Sequence, residues 1–193
     1  PNSPQKPNPA LATRRGRAAT ALMLALPGSA YMYQGEELGL PEVIDIPDAL
    51  REDPTFHRTN GERYGRDGCR VPVPWVKEAP VFGFSPSCET WLTQPEVFGE
   101  LARDQQEGDP SSTLELYKSL LHLRKEHGLG TGQLSWQDSA DTHVLRFQNG
   151  DVTVLCNFGV QPVALPEGKV IVSSIWPAPS DLAPDHTVWV RNH

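Results

Sequence analysis

The sequence is poor in cysteine and has no long apolar run, and both shortages exclude classes of protein. No hydrophobic segment approaches the ~20 residues that a membrane-spanning helix requires, so we expect no membrane partner. The three cysteines, Cys69, Cys88 and Cys156, are an odd number at spacings that suit neither a zinc site nor a disulfide framework. We therefore expect free thiols, buried or partly buried, in a protein of the reducing cytoplasm.

A basic composition and several catalytic motifs are also missing. The net charge of −7 disfavours nucleic acid as a partner. The six histidines form no paired metal-binding spacing, residues 83–85 lack the second glycine of a nucleophile elbow, and no glycine-rich phosphate loop is present. We therefore predict neither a metal site nor an organic cofactor.

What the sequence does contain is organised around residues 21–40. An apolar helical run is stopped by Pro27 and Gly28, and an apolar segment at residues 30–33 is followed by abruptly polar residues. A helix, a tight turn, a buried strand and polar residues after the strand are typical of α/β folds, in which chemistry collects at the carboxyl ends of strands. We therefore predict a helix over about residues 9–26, a strand at 30–33 and a functional loop after Tyr33.

The same stretch has an alternative interpretation. Arg14, Arg15 and Arg17 precede an apolar run that ends in small residues, which is the outline of a secretory signal peptide. Against this, the apolar run is short, and Asn8 before Pro9 is a suitable N-cap for a helix of about five turns. The helix is therefore favoured, with the signal peptide as the alternative.

The remainder of the chain divides into an irregular segment, a helix and a set of strands. Residues 38–112 are rich in proline, and loops of this length are usually functional, with short helices predicted at 48–52 and 95–106. The capping box that begins at Ser112 predicts a helix to about His127. Alternating patterns then predict strands, with a hairpin turn at residues 149–150; the predicted strands are 142–147, 151–157, 169–175 and 186–190.

Two clusters of charged residues are candidates for chemistry. Glu36 and Glu37 are neighbours on an extended backbone and point to opposite faces, so we expect one of them to cap a loop or to pair with an arginine. In residues 65–75, Arg66 and Arg70 flank Asp67 in a turn-rich loop. An arginine oriented by an aspartate suits the recognition of vicinal sugar hydroxyls, but a purely structural ion pair is equally compatible with the spacing.

These segments resemble a known family. Residues 31–39, YMYQGEELG, resemble the end of the eighth barrel strand in the α-amylase superfamily of glycoside hydrolases. Residues 65–75 resemble the Arg-Asp-x-x-Arg-x-Pro-x-x-Trp signature of its α-glucosidase and oligo-1,6-glucosidase branch. The resemblance implies that residues 1–127 are the C-terminal part of a (β/α)8 TIM barrel, with its last strand, long substrate loop and last helix. It also implies that residues 128–193 are a small antiparallel β-domain of the Greek-key type.

The resemblance also carries an expectation about function. The family's nucleophilic Asp, acid/base Glu and third Asp lie on earlier strands and have no counterpart here. The parent protein would then be a retaining exo-α-glucosidase that acts on α-glucoside oligosaccharides resembling maltose or isomaltose. This chain would be inactive alone and would associate with the missing N-terminal part of the barrel. Arg70 would bind the hydroxyls of the terminal glucose, while Arg66 and Asp67 would shape the pocket.

Two other functions remain open. The chain would be a non-catalytic sugar-binding or structural module if it acts without converging carboxylates. It would alternatively belong to a related transglycosylase, such as a trehalose synthase or a sucrose isomerase. Val73 and Pro74 stand where many relatives have Met-Gln, so the resemblance does not fix the linkage preference.

Overall fold

The computed structural model describes residues 8–139 and 141–192, and it separates them into two compact units. One unit consists of Tyr33–Asp109 with Asn8, and the other combines Pro9–Met32 with residues 110–192. Within the described ranges, no helix is both long and apolar enough to cross a membrane. The domain boundary expected near residue 127 remains a prediction.

Two helices of the second unit form where the sequence predicts them. Helix α1 (Pro9–Ala25) ends just before Pro27, which has no backbone N–H with which to continue the helix. Helix α5 (Thr113–Glu126) starts at the predicted capping box, where the Ser112 side chain accepts a hydrogen bond of 3.1 Å from the Glu115 N–H. It ends before Gly128, whose φ of 61° is the left-handed conformation typical of glycine after a helix.

The strand predicted at residues 30–33 is wrong. These residues join no ladder, and Tyr31 is 84% exposed while Met32 and Tyr33 are each 47% exposed. A strand exists only through hydrogen bonds to a neighbour, and every ladder in residues 8–139 and 141–192 is antiparallel and lies beyond residue 133. The apolar pattern marks a segment suited to burial, but it supplies no partner for the backbone.

The strands of the second unit form one five-stranded antiparallel sheet and one two-stranded ribbon. The strands are β1 (Leu134–Gln137), β2 (Val144–Asn149), β3 (Val152–Asn157), β4 (Val163–Ala164), β5 (Lys169–Ser173), β6 (Asp181–Leu182) and β7 (His186–Arg191). The larger sheet has the order β1-β2-β3-β7-β5, and β4 pairs with β6. All four predicted strands are confirmed, and β1, β4 and β6 are additions, two of them only two residues long.

The predicted hairpin turn is misplaced by one residue. Asn149 pairs with Val152 as part of the ladder, so the turn consists of Gly150 and Asp151. Gly150 has a φ of 61°, as a glycine at the first central position of such a turn allows. The side chain of Asn149 is buried and donates to the carbonyls of Ala25 and Leu129 at 2.8 and 2.9 Å. These bonds fix Asn149 in the strand rather than in the turn.

The main core of this unit lies between helices α1 and α5 and the large sheet. Trp189 and Phe147 are fully buried in it, with Leu24 and Leu120 from the two helices. The indole N–H of Trp189 donates to the carbonyl of Ala21 at 2.9 Å, so the aromatic ring fills the core without leaving an unpaired donor. Burial of this apolar face is the main stabilisation of the unit.

The first unit is largely irregular, as its proline content predicts. Its helices are short: α2 (Pro54–Arg58), α3 (Val97–Glu100) and α4 (Arg103–Gln106). The helix predicted at 95–106 is therefore broken in two, the one predicted at 48–52 is a single 3-10 turn at Asp48–Leu50, and α2 is an addition. A small apolar core stabilises the segment; its buried members are Ile46, Val71, Leu92 and Phe98.

The cysteines are free, but their burial differs from one to the next. Cys156 is buried and Cys69 partly exposed, whereas Cys88 is exposed, contrary to the expectation of burial. Burial raises the pKa of the Cys156 thiol to about 11, which keeps it protonated and unreactive near neutral pH.

Asp185 provides a test of the second unit by pH. It accepts hydrogen bonds from Arg15 at 2.8 Å and Arg14 at 3.2 Å. Burial opposes ionisation of the carboxyl, but the two arginines outweigh it and lower the pKa of Asp185 below its ordinary value. A pKa that is lowered in the native state stabilises the fold at pH values above the pKa of the unfolded state, which is about 4. This stabilisation is lost as the pH falls through the pKa of the native state.

We therefore expect Asp185→Asn to lower the free energy of unfolding at pH 7 by about 1 kcal/mol, because the arginine ends of both pairs are half exposed. Asparagine also accepts the positive φ of 60° at this position. Thermal unfolding of the full-length protein between pH 7 and pH 3 measures the effect, with the exposed Asp181→Asn as the matched control. A difference between wild type and variant that grows on acidification would contradict the assignment.

Candidate functional site

The loop that carries the two candidate arginines is built against a buried aspartate. Residues Asp67–Cys69 form a 3-10 turn, with Arg66 before it and Arg70 after it. Gly65 precedes the turn with a φ of 71°, and a Cβ atom there would lie 2.4 Å from the Cγ of Asp53. Only glycine allows the chain to pass this close to Asp53 in this conformation.

Asp67 is a buried carboxylate that ties the loop to the segment before helix α2. Its side chain accepts hydrogen bonds from two successive backbone N–H groups, those of Glu52 at 3.1 Å and Asp53 at 3.0 Å, through the same oxygen Oδ2. The other oxygen, Oδ1, lies 3.4 Å from the Nη1 atom of Arg70. Asp67 therefore orients Arg70 while it fixes the backbone of the loop.

Asp53 is the second buried carboxylate, and it lies outside the sequence motifs that mark the candidate site. Its Oδ1 accepts from the Thr55 N–H at 2.8 Å as the N-cap of α2. Its Oδ2 accepts from the Arg66 N–H at 3.0 Å and lies 3.2 Å from Nη1 of Arg70. The hydrogen bonds from Thr55, with smaller contributions from Arg66 and the charge of Arg70, lower the pKa of Asp53 to about 2, against the opposing effect of burial.

Two carboxylates hold the guanidinium of Arg70, and the side chain is still partly open to solvent. Both ion pairs engage the single nitrogen Nη1, and the side chain is 43% exposed. Partial burial disfavours its charged form, but Asp53, then Tyr33 and Asp67, raise the pKa of Arg70 above its ordinary value. A guanidinium has five N–H donors, so most of them remain for Tyr33 and for a ligand.

Tyr33 connects residues 31–39 with residues 65–75, the two segments that carry the family resemblance. Its side chain interacts with the guanidinium of Arg70, so the loop after Tyr33 and the loop of residues 65–75 meet at one place within the same compact unit. Arg66 takes a different role from Arg70, because its backbone N–H donates the hydrogen bond to Asp53 and its side chain is exposed. The structure thus brings Asp67 and Arg70 together, and Arg66 contributes backbone to the same cluster.

Glu36 and Glu37 lie in a 3-10 turn, Glu36–Leu38, so the extended backbone predicted for them is wrong. Glu37 accepts a hydrogen bond of 2.8 Å from the N–H of Gly35, which confirms that one of the two caps a loop. Among the residues that the structure describes, no group of three His, Cys, Asp or Glu side chains could hold a metal ion.

Comparisons of the sequence place the chain among carbohydrate-active proteins. Residues 6–132 match the family described as the alpha amylase catalytic domain. A probable α-glucosidase of Rhizobium meliloti is 34% identical over 148 residues, a match that covers 75% of this chain and 26% of the relative. The oligo-1,6-glucosidase IMA3 of Saccharomyces cerevisiae is 31% identical over 134 residues, covering 58% of this chain and 23% of the relative.

Solved structures of related folds also match the chain. XgtA, described as an α-glucosyl transfer enzyme, matches with a TM-score of 0.72 at 29% identity, covering 100% of this chain and 37% of its own. A mutant of the trehalulose synthase MutB in complex with glucose gives a TM-score of 0.77 at 22% identity, covering 95% of this chain and 39% of the other. That second likeness concerns the fold alone. The chain spans about a quarter of the length of the curated relatives named above.

Proposed function

Because the chain belongs to the α-amylase family of glycoside hydrolases, we propose that the protein containing it is a retaining exo-α-glucosidase. Its substrates would be maltose- or isomaltose-like oligosaccharides, from which it releases terminal α-linked glucose. The observation that carries this proposal is Arg70, a half-exposed guanidinium held by two buried carboxylates beside Tyr33. In this proposal Arg70 binds the hydroxyls of the terminal glucose, and Arg66 and Asp67 shape the pocket around it.

The electrostatics of this cluster favour an uncharged ligand. Asp53 and Asp67 are each 3% exposed and share one arginine, so the three groups together carry net negative charge. With Arg66 counted as well the cluster is neutral, so it has no excess positive charge to attract phosphate or carboxylate groups, whereas the remaining N–H donors of Arg70 suit neutral hydroxyl oxygens. A sugar hydroxyl pair is therefore a better ligand for Arg70 than an anion is.

We also propose that different parts of the protein bind the substrate and catalyse the reaction. Residues 1–127 would form the C-terminal part of the (β/α)8 barrel, and 128–193 the C-terminal β-domain of Greek-key type. The substrate-binding residues come from this chain, whereas the catalytic carboxylates come from the N-terminal part of the barrel, with which the chain associates. In support, the curated relatives are about four times as long as the part that matches. We place the enzyme in the cytoplasm.

The test is the hydrolysis of p-nitrophenyl α-glucoside, maltose and isomaltose by the full-length protein. We expect release of glucose as the α-anomer, which NMR detects before mutarotation, because retaining enzymes act through two displacements. The 193-residue chain alone should release no p-nitrophenol. Release of the β-anomer would contradict the retaining mechanism. Turnover by the 193 residues alone would contradict the proposal that the catalytic carboxylates come from the N-terminal part of the barrel.

A second candidate function is transfer of the glucosyl group to another sugar. It is favoured by the likeness to XgtA, described as an α-glucosyl transfer enzyme, which extends over 100% of this chain at 29% identity. The two reactions share the first displacement and differ in the acceptor, water or a hydroxyl group. Product analysis at high maltose concentration separates them: a hydrolase yields glucose, and a transferase yields longer or rearranged oligosaccharides.

A further inference from the structure

We propose that Asp53 is a positioning residue that holds the guanidinium of Arg70 in place for the sugar. This inference rests on the proposed function for its kinetic consequence, but its structural content concerns Asp53 and Arg70 alone. Asp53 lies 17 positions before Arg70 in the sequence and outside the Arg-Asp-x-x-Arg segment.

Asp53 is itself fixed on several sides, which is the first requirement of a positioning group. One oxygen caps helix α2 by accepting from Thr55, and the other accepts from the Arg66 N–H. Gly65 packs directly against the carboxyl carbon, since even a Cβ atom there would lie 2.4 Å from it. Backbone N–H groups therefore hold both oxygens of the carboxylate, and its ion pair restrains Arg70 in turn.

The position of Asp53 relative to Arg70 is the second requirement. Its Oδ2 lies 3.2 Å from Nη1 of Arg70, closer than the Asp67 oxygen at 3.4 Å. Asp67 holds Nη1 by a hydrogen bond and Asp53 by an ion pair, so two separate attractions restrain this end of the guanidinium, whereas one alone would leave it free to move about the remaining contact. The lowered pKa of Asp53, about 2, keeps it charged near neutral pH. Preorganisation of a binding group in this way lowers the barrier by avoiding reorganisation on binding.

The test uses Asp53→Asn and Asp53→Ser in the full-length protein. Both replacements are good N-caps, so helix α2 keeps its hydrogen bond to Thr55 while the negative charge beside Arg70 is lost. Glu62→Gln, an exposed change in the same segment, is the matched control. The primary readout is the crystal structure of each variant, in which we expect the Arg70 guanidinium to leave its present position beside Tyr33 and Asp67.

Kinetics supply the second readout. We expect kcat/KM for p-nitrophenyl α-glucoside to fall about 10- to 100-fold in Asp53→Asn. Discrimination between this substrate and its monodeoxy analogues should fall as well, because a mobile Arg70 recognises the hydroxyls poorly. The double variant Asp53→Asn/Arg70→Ala should match Arg70→Ala within about 2-fold, since Asp53 acts through Arg70. The acidic and basic limbs of the pH dependence of kcat/KM should lie at the same pH in Asp53→Asn as in the wild type.

The outcomes separate this inference from the proposed function. If Arg70 keeps its position in both Asp53 variants, the inference is wrong, whatever the activity of the protein. If Arg70 moves and the wild type has no glucosidase activity, the proposed function fails and the positioning role stands. A shift of the acid limb in Asp53→Asn, or additive losses in the double variant, would show that Asp53 acts on its own and would overturn the inference.

Discussion

If the proposed function holds, Arg70→Ala in the full-length protein should lower kcat/KM for p-nitrophenyl α-glucoside by about 100-fold or more. The side chain supplies charged donors from a fixed position, and each lost charge-assisted hydrogen bond to a substrate corresponds to roughly a 10- to 100-fold loss. The loss should appear in the maltose and isomaltose reactions alike, because the proposed contact is to the terminal glucose and not to the linkage. Steady-state kinetics on the three substrates measure it.

The alanine variant also leaves Asp53 and Asp67 without their shared cation, so part of its effect is structural. Arg70→Lys separates the two effects. Lysine keeps a positive charge beside both carboxylates but cannot donate from the planar guanidinium, so thermal stability should recover while kcat/KM stays low. Arg63→Ala, an exposed arginine in the same segment, is the control for loss of positive charge. Near-normal kinetics in Arg70→Ala would show that Arg70 does not bind the substrate.

The elements that the sequence predicts correctly are those that depend on local interactions. The start of α5 follows from the hydroxyl of Ser112 and the backbone three residues later, and both lie within one turn. The long strands β2, β3 and β7 follow from alternation of apolar and polar residues, which is a property of consecutive positions. Such patterns are complete within a dozen residues, so no distant partner is needed to recognise them.

The failures involve partners that are distant in sequence. The strand expected at residues 30–33 depends on neighbouring strands, and its apolar pattern carries no information about them. The turn moved from Asn149–Gly150 to Gly150–Asp151 because the amide of Asn149 bonds to Ala25, 124 positions away. An Asn-Gly pair predicts a turn, but the long-range hydrogen bond decides which residue occupies it.

The candidate site shows the same division. The sequence singles out Arg66, Asp67 and Arg70 because they lie within five consecutive residues, and the structure brings Asp67 and Arg70 into contact. Asp53 escaped notice although it carries a local pattern, an aspartate followed by proline at the start of a helix. That pattern predicts a cap and says nothing of the second oxygen, which lies beside Arg70. The pocket roles of Arg66, Asp67 and Arg70 stay predictions, and the Arg70 variants test the last of them.

Trp189→Ala should give the largest loss of stability in the second unit, about 3–5 kcal/mol in the free energy of unfolding. Trp189 is fully buried at the centre of the main core, against both the sheet and helix α1. The variant removes the largest fully buried side chain and also leaves the Ala21 carbonyl without the indole donor. Helix α1 and the sheet would then lose the group that joins them.

Trp189→Phe is the informative partner variant, because it retains an aromatic ring in the core and removes the N–H donor. We expect it to cost about 1–3 kcal/mol, from the smaller ring and the lost hydrogen bond. Thermal unfolding of the full-length protein and hydrogen exchange of the β3 and β7 amides measure both variants. The control is Val160→Ala, which removes methyl groups from an 85% exposed side chain. Unchanged exchange protection in Trp189→Ala would mean that the sheet holds together without this core, and the assignment of Trp189 as its centre would be wrong.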